Sequence, residues 1–134
     1  MVIHRMMHVT PADNIDSIRE QGLLAHFPGD GNWPNDAENP ECATGVYLIK
    51  TGEKLFDYAE HCANWCSELS GEPLAAVAVN VVGLDLEIDP QLTWWDDYTR
   101  QDAHKFYTPD DIPLEHLLGC STLDIDKRKE VPIT

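Results

Sequence analysis

Three groups of residues in this sequence have types and spacings that can do chemistry. His8-Val9-Thr10 closes a stretch that reads as a strand, Val2 to Val9, directly before a helix start. An imidazole and a hydroxyl at that point face a groove, and helix N-terminal amides offer donors to an anion. The plainer reading makes His8 a strand-end histidine and Thr10 a helix cap. The second group is Tyr47, in Gly45-Val46-Tyr47-Leu48, and Tyr58 eleven residues later. A strand tyrosine and a helix tyrosine can sandwich a flat ring, or they can be two ordinary core aromatics. The third is Leu86-Glu87-Ile88-Asp89-Pro90-Gln91-Leu92-Thr93. Glu87 and Asp89 alternate, so on a strand they share a face. Either carboxylate can stabilise a developing cation. Acids there also suit a sheet edge that discourages further pairing.

The elements that must hold these residues follow from periodicity. Thr10 reads as an N-cap, Pro11 as first-turn residue, and Asp13 lies three after the cap. Ile15, Ile18 and Leu23 supply the apolar stripe, and Gly22 is the expected stop. Phe27 to Thr44 is rich in Pro, Gly, Asn and Asp, hence a long loop of the kind that is often functional. Gly45 to Ile49 is a short strand. Thr51 can cap a second helix running to about Leu69, stopped by Ser70-Gly71. Its positions Leu55, Tyr58, Ala59, Cys62, Trp65, Cys66 and Leu69 keep helical spacing. Leu74 to Val82 is a continuous apolar run and reads as a buried strand. Leu84 to Ile88 alternates and reads as a half-exposed edge. Lys105 to Thr108 is another strand, and Ile112 to Leu118 leads into a last one, Leu117 to Ile125. The class is α+β, with a mostly antiparallel or mixed sheet and two main helices. No linker divides the chain, so residues 1–126 form one domain and 127–134 a solvated tail.

Charge narrows the partners. The 134 residues carry 24 Asp and Glu against 9 Lys and Arg, a formal net charge of −15. From Leu55 to Thr99 there is no Lys or Arg, while nine acids fall in the same stretch. Lys127-Arg128-Lys129 is the only basic cluster. Binding nucleic acid through a basic surface is therefore not expected, nor is attraction to an anionic membrane. No apolar run reaches a membrane span, and Met1 to Met7 lacks a signal core, so a cytoplasmic location is expected. The cysteines are Cys42, Cys62, Cys66 and Cys120. No CxxC pair or finger-like spacing accompanies them, so they read as reduced thiols, and no metal site is expected.

The order of the three groups adds a further reading. His8 and Thr10 on a first strand, a helix ending in Gly22-Leu23, then Gly45-Val46-Tyr47-Leu48 and a helix bearing Tyr58, resemble a known arrangement. It is the ADP-ribosyltransferase fold of the diphtheria-toxin and poly-ADP-ribose polymerase branch. The small rifamycin ADP-ribosyltransferases are similar in size and layout. Ser67-Glu68-Leu69-Ser70-Gly71 and Asp89-Pro90-Gln91-Leu92-Thr93 look like segments of theirs. The likeness covers about Met7 to Leu118. It implies a small split sheet, NAD as substrate, and ADP-ribose transfer to a small-molecule or protein acceptor. His8, Thr10, Tyr47 and Tyr58 would bind NAD, with His8 on a ribose and Tyr58 stacked on nicotinamide. His8, Tyr47 and Asp89 would serve catalysis, with Glu87 second to Asp89 as the acid. The loop with Trp33, and Trp94-Trp95, would wall the acceptor side.

Two departures accompany the resemblance. The family's His-Gly-Thr glycine is Val9 here. The late-strand Glu of the polymerase branch has no counterpart around His104-Lys105-Phe106-Tyr107, where Lys105 brings the opposite charge. A catalytically inactive protein of the same fold, binding a basic partner through its acidic surface, is the competing expectation. An RNA 2′-phosphotransferase would share the fold, but it needs bases to hold a phosphate, and Glu20 to Ile49 contains none.

Overall fold

A computed structural model describes residues 4–24, 46–65, 73–88 and 105–133. The strands are β1 (Arg5–Pro11), β2 (Val46–Lys50), β3 (Leu74–Asn80), β4 (Glu87–Ile88), β5 (Lys105–Thr108), β6 (Leu117–Asp124) and β7 (Lys129–Ile133). The helices are α1 (Ile15–Gln21) and α2 (Glu53–Trp65). The strands make one seven-stranded sheet in the order β4-β5-β2-β1-β3-β6-β7. Every neighbouring pair is antiparallel. This bears out the α+β class with a mostly antiparallel sheet and two helices. Among the described residues no helix is long and apolar enough to cross a membrane.

Strand alternation sorts the core into two layers. On one face Met6, Leu48, Val77, Val79 and Phe106 pack with Ile15 and Ile18 of α1. On the other, Met7, Val9, Ile49, Ala76 and Ala78 pack with Leu55, Phe56 and Ala59 of α2. The sheet is thus covered by α1 on one side and α2 on the other. β3 lies centrally and is buried on both faces, which is why it reads as an unbroken apolar run. In α2, Leu55 and Ala59 are fully buried while Tyr58 is half-buried, as the helical spacing requires.

The sheet is unevenly stitched. β1 pairs β3 along its whole length, from Arg5↔Asn80 to Pro11↔Leu74. β2 pairs β5 from Val46↔Thr108 to Ile49↔Lys105. Between β1 and β2 the register holds only Met6↔Lys50 and Met7↔Ile49. The two halves of the sheet therefore join at a short ladder that stops beside His8.

Three expectations are corrected. Thr10 is not a helix cap. It is a buried strand residue opposite Ala75, and α1 begins only at Ile15, after a short 3-10 turn over Ala12–Asn14. A residue before proline is pushed to extended backbone, and Pro11 itself is extended at φ −58°, ψ 140°. The helix that would have offered amides beside His8 thus starts too far along. α2 starts at Glu53, two residues beyond Thr51. Finally, the segment after Asp126 is exposed, as expected, but it is no free tail, since Lys129–Ile133 form β7 on the outer side of β6. Arg128, in the turn between them, pairs with Asp57 of α2 at 3.0 Å and lies 5.5 Å from the Phe56 ring centre. Both charged side chains are largely exposed, 40% and 60%, so the pair stabilises the fold by no more than about 1 kcal/mol.

The helix stop falls where expected. Gly22 caps α1 at φ 79°, donating its amide to the Ile18 carbonyl at 2.8 Å. Leu23 then bonds to Ile112 in both directions, at 3.0 and 2.8 Å, tying the end of α1 to the approach to β6.

Candidate functional site

The site forms where the β1–β2 ladder ends. His8 Nδ1 lies 2.9 Å from the Tyr47 main-chain oxygen. A carbonyl only accepts, so Nδ1 carries the proton, and in the neutral ring Nε2 is left as an acceptor. Burial lowers the His8 pKa below its ordinary 6.5, and the bond to Tyr47 only partly opposes this. His8 is therefore neutral at pH 7, with one defined tautomer.

Depressed His8 basicity makes stability pH-dependent. The unfolded chain binds a proton at pH 6.5 and the folded one only lower, so stability falls as pH drops through 6.5 towards the folded value. His8→Gln removes that proton site. The melting temperature of the wild type relative to His8→Gln should therefore decline between pH 8 and pH 5. A gap that stays constant over that range contradicts the depressed value.

The tyrosines share the α2 face. Tyr47 stands opposite Tyr107 in the β2–β5 ladder, and their rings stack with centres 5.6 Å apart and planes 21° from parallel. Tyr107 donates its hydroxyl to Glu87 Oε2 at 2.7 Å, across the β4–β5 pair. Two residues back on β5, Lys105 holds its ammonium 4.9 Å from the centre of the Tyr58 ring. Tyr58 itself packs against the α2-side core. The α2 side of the sheet thus carries Glu87, Tyr107, Tyr47, Lys105 and Tyr58, while His8 alternates onto the α1 face with Met6 and Thr10 and reaches only the Tyr47 main chain at the seam.

The candidates that fall within the described residues each have a definite place. Tyr47, Tyr58 and Glu87 fall on one face, and His8 touches the Tyr47 backbone. Thr10 alternates onto the α1 face and is 2% exposed, with Oγ1 accepting from Asn14 Nδ2 at 3.1 Å. Asp89, the loop from Phe27 to Thr44 with Trp33, and Trp94-Trp95 lie outside the described residues, as do the side chains of Cys62 and Cys66. Cys120 is a half-buried free thiol. Among the described residues no three His, Cys, Asp or Glu side chains gather as metal ligands.

No protein-family model matches the chain, and neither a curated protein nor a solved structure does.

Sequence reasoning missed Lys105 and Tyr107 as members of the site. Their alternation in Lys105-Phe106-Tyr107-Thr108 put both on one face of a strand. Nothing local indicated that this strand would lie beside Tyr47. The α2 face offers stacked phenol rings, one carboxylate and one ammonium, and the neutral imidazole, which accepts through Nε2, stands behind them on the α1 face. Such a set suits a ligand with a flat ring and sugar hydroxyls.

Proposed function

We propose that the protein is an NAD-dependent ADP-ribosyltransferase, passing ADP-ribose to a small-molecule or protein acceptor. The observation that supports this reading is the short β1–β2 ladder. It ends at His8, bonded to the Tyr47 carbonyl, and Tyr47 is stacked in a row of site side chains that ends in a carboxylate. The imidazole, on the α1 face, and the tyrosine row, on the α2 face, thus meet through the Tyr47 main chain where the ladder stops, and this junction is what supports the reading.

In this reading His8 Nε2 accepts a hydrogen bond from a ribose hydroxyl of NAD. Tyr47 and Tyr58 orient the nicotinamide ring, so that the glycosidic bond is held for cleavage. As nicotinamide departs, positive charge develops on the ribose in an oxocarbenium-like transition state. A carboxylate nearby stabilises that charge. Glu87 is the acid the described strands bring to the tyrosines, and Asp89 follows it by two residues. An acceptor nucleophile then attacks the anomeric carbon. Thr10, buried beside Asn14, contributes by holding the end of β1 in place.

A second reading has a specific observation in its favour. Lys105 lies against Tyr58, near where the resemblance has a carboxylate. A catalytically inactive protein that binds a basic partner through its acid surface accommodates that lysine without difficulty.

The Tyr58 series tests the NAD reading. NAD should raise the melting temperature of the wild type. Tyr58→Ala should weaken NAD by about tenfold, since base stacking on an aromatic side chain is worth roughly 1–3 kcal/mol. Tyr58→Phe, which keeps the ring, should weaken it by less than about threefold by the same reasoning. Equal losses in the two variants remove Tyr58 from the ring site. No NAD-dependent shift in the wild type removes the enzyme reading.

A further inference from the structure

We infer that Lys105 selects ligands that carry a phosphate beside a flat ring, leaving the Tyr58 ring to pair with that phosphate when such a ligand stacks. The inference rests on Tyr58 being the ring-binding residue of the function proposed above, and it deepens that reading by naming the group that recognises the anion.

Three observations carry it. The Lys105 ammonium sits 4.9 Å from the centre of the Tyr58 ring, on the face that also bears Tyr47 and Tyr107. A flat ligand arriving at Tyr58 therefore meets this ammonium. Lys105 is half-buried and reaches Tyr58 on a flexible stem, so the contact is a weak one that a ligand can displace. A displaced ammonium needs a new counter-charge, and a phosphate oxygen gives it a stronger, charge-assisted bond than the ring did.

The second observation is the charge around the site. The chain has no Lys or Arg from Leu55 to Thr99, so Glu87, Tyr58 and the strand between them bring no base. Arg5 and Lys50, the other bases near β1 and β2, sit at the closed end of the seam. Lys50 is opposite Met6 and alternates onto the α1 face. Lys54, four residues before Tyr58 on α2, is exposed, and Lys105 is the base whose ammonium is held over the Tyr58 ring. The third is register. Lys105 is opposite Ile49, one pair along the ladder from Leu48–Phe106 and two from Tyr47–Tyr107. Strand rise puts Lys105 and Tyr107 about 7 Å apart along β5. Tyr107 stacks on Tyr47 and bonds Glu87, so the ammonium stands at the Tyr58 end of the row, clear of that carboxylate contact.

Nicotinamide riboside and nicotinamide mononucleotide test this directly, because they differ by one phosphate. Titration calorimetry on the wild-type chain should give the mononucleotide at least about tenfold tighter binding, the usual value of a charge-assisted contact. Lys105→Ala should shrink that gap to less than about threefold, without weakening the riboside, which no longer competes with the ammonium. Lys105→Arg should keep most of the gap, and its melting temperature and that of Lys105→Ala report whether each variant is folded. A gap that survives in folded Lys105→Ala overturns the inference, as does equal weakening of both ligands. NAD binding that is indifferent to Lys105 removes this inference alone. A wild type that binds none of NAD, the mononucleotide and the riboside removes it along with the proposed function.

Discussion

Gly22→Ala should destabilise the fold by roughly 3 kcal/mol and lower the melting temperature by about 10 °C. Two costs add at this position. Gly22 has φ 79°, where a side chain costs about 1–2 kcal/mol of backbone strain. A Cβ there would also stand 2.5 Å from the Ile112 carbonyl oxygen. That oxygen cannot step aside cheaply, because it accepts from the Leu23 amide at 3.0 Å and Ile112 is completely buried. Relief would break the bridge that joins the end of α1 to the approach to β6. Gly83→Ala is the internal control. Its φ is 86°, but a Cβ would meet nothing within 4 Å, so it carries the backbone cost alone. Thermal melts of the two variants separate strain from collision. Equal shifts would mean that the Gly22–Ile112 approach contributes nothing.

Glu87→Gln should lower nicotinamide release from NAD roughly a hundredfold, the scale of losing one preorganised electrostatic contact to a transition state. Glutamine keeps the shape of Glu87 and still accepts from the Tyr107 hydroxyl, now at 2.7 Å from Oε2. It removes only the negative charge that an oxocarbenium ion would feel. Tyr107→Phe makes the complementary change, leaving the charge and removing its anchor. That variant should lose about three- to tenfold, the value of one hydrogen bond of roughly 1 kcal/mol. The order of the two losses is the informative result. Asp89→Asn belongs in the same assay, and a larger loss there than at Glu87 transfers the role of the acid to Asp89.

How much of this was visible in the sequence depended on whether the signal was local. β3 was legible because burial on both faces leaves no polar alternation from Leu74 to Val79. The α2 stripe was legible because Leu55, Tyr58 and Ala59 follow from helical geometry alone. Gly22 was legible because a positive φ after an apolar stripe calls for glycine. Thr10 was misread because its cap signature competes with the proline that follows, and pairing with Ala75 gave the extended form its partner. β7 was hidden by its composition. Its three charged or proline positions, Lys129, Glu130 and Pro132, are tolerated because, among the described strands, β7 lies at the sheet edge beside β6 alone. The site divided in the same way. His8, Tyr47 and Tyr58 could be singled out by type and spacing. Lys105 and Tyr107 join them only through the β2–β5 register, a contact between strands more than fifty residues apart.

If the seam beside His8 and Tyr47 cleaves NAD, nicotinamide release measures it most directly. The wild-type chain incubated with NAD should release nicotinamide, and both His8→Ala and Glu87→Gln should suppress that release while remaining folded. No release by the wild type, with no NAD-dependent rise in its melting temperature, would contradict the account. A tight, salt-sensitive complex with a basic protein would then make the acidic surface itself the functional one.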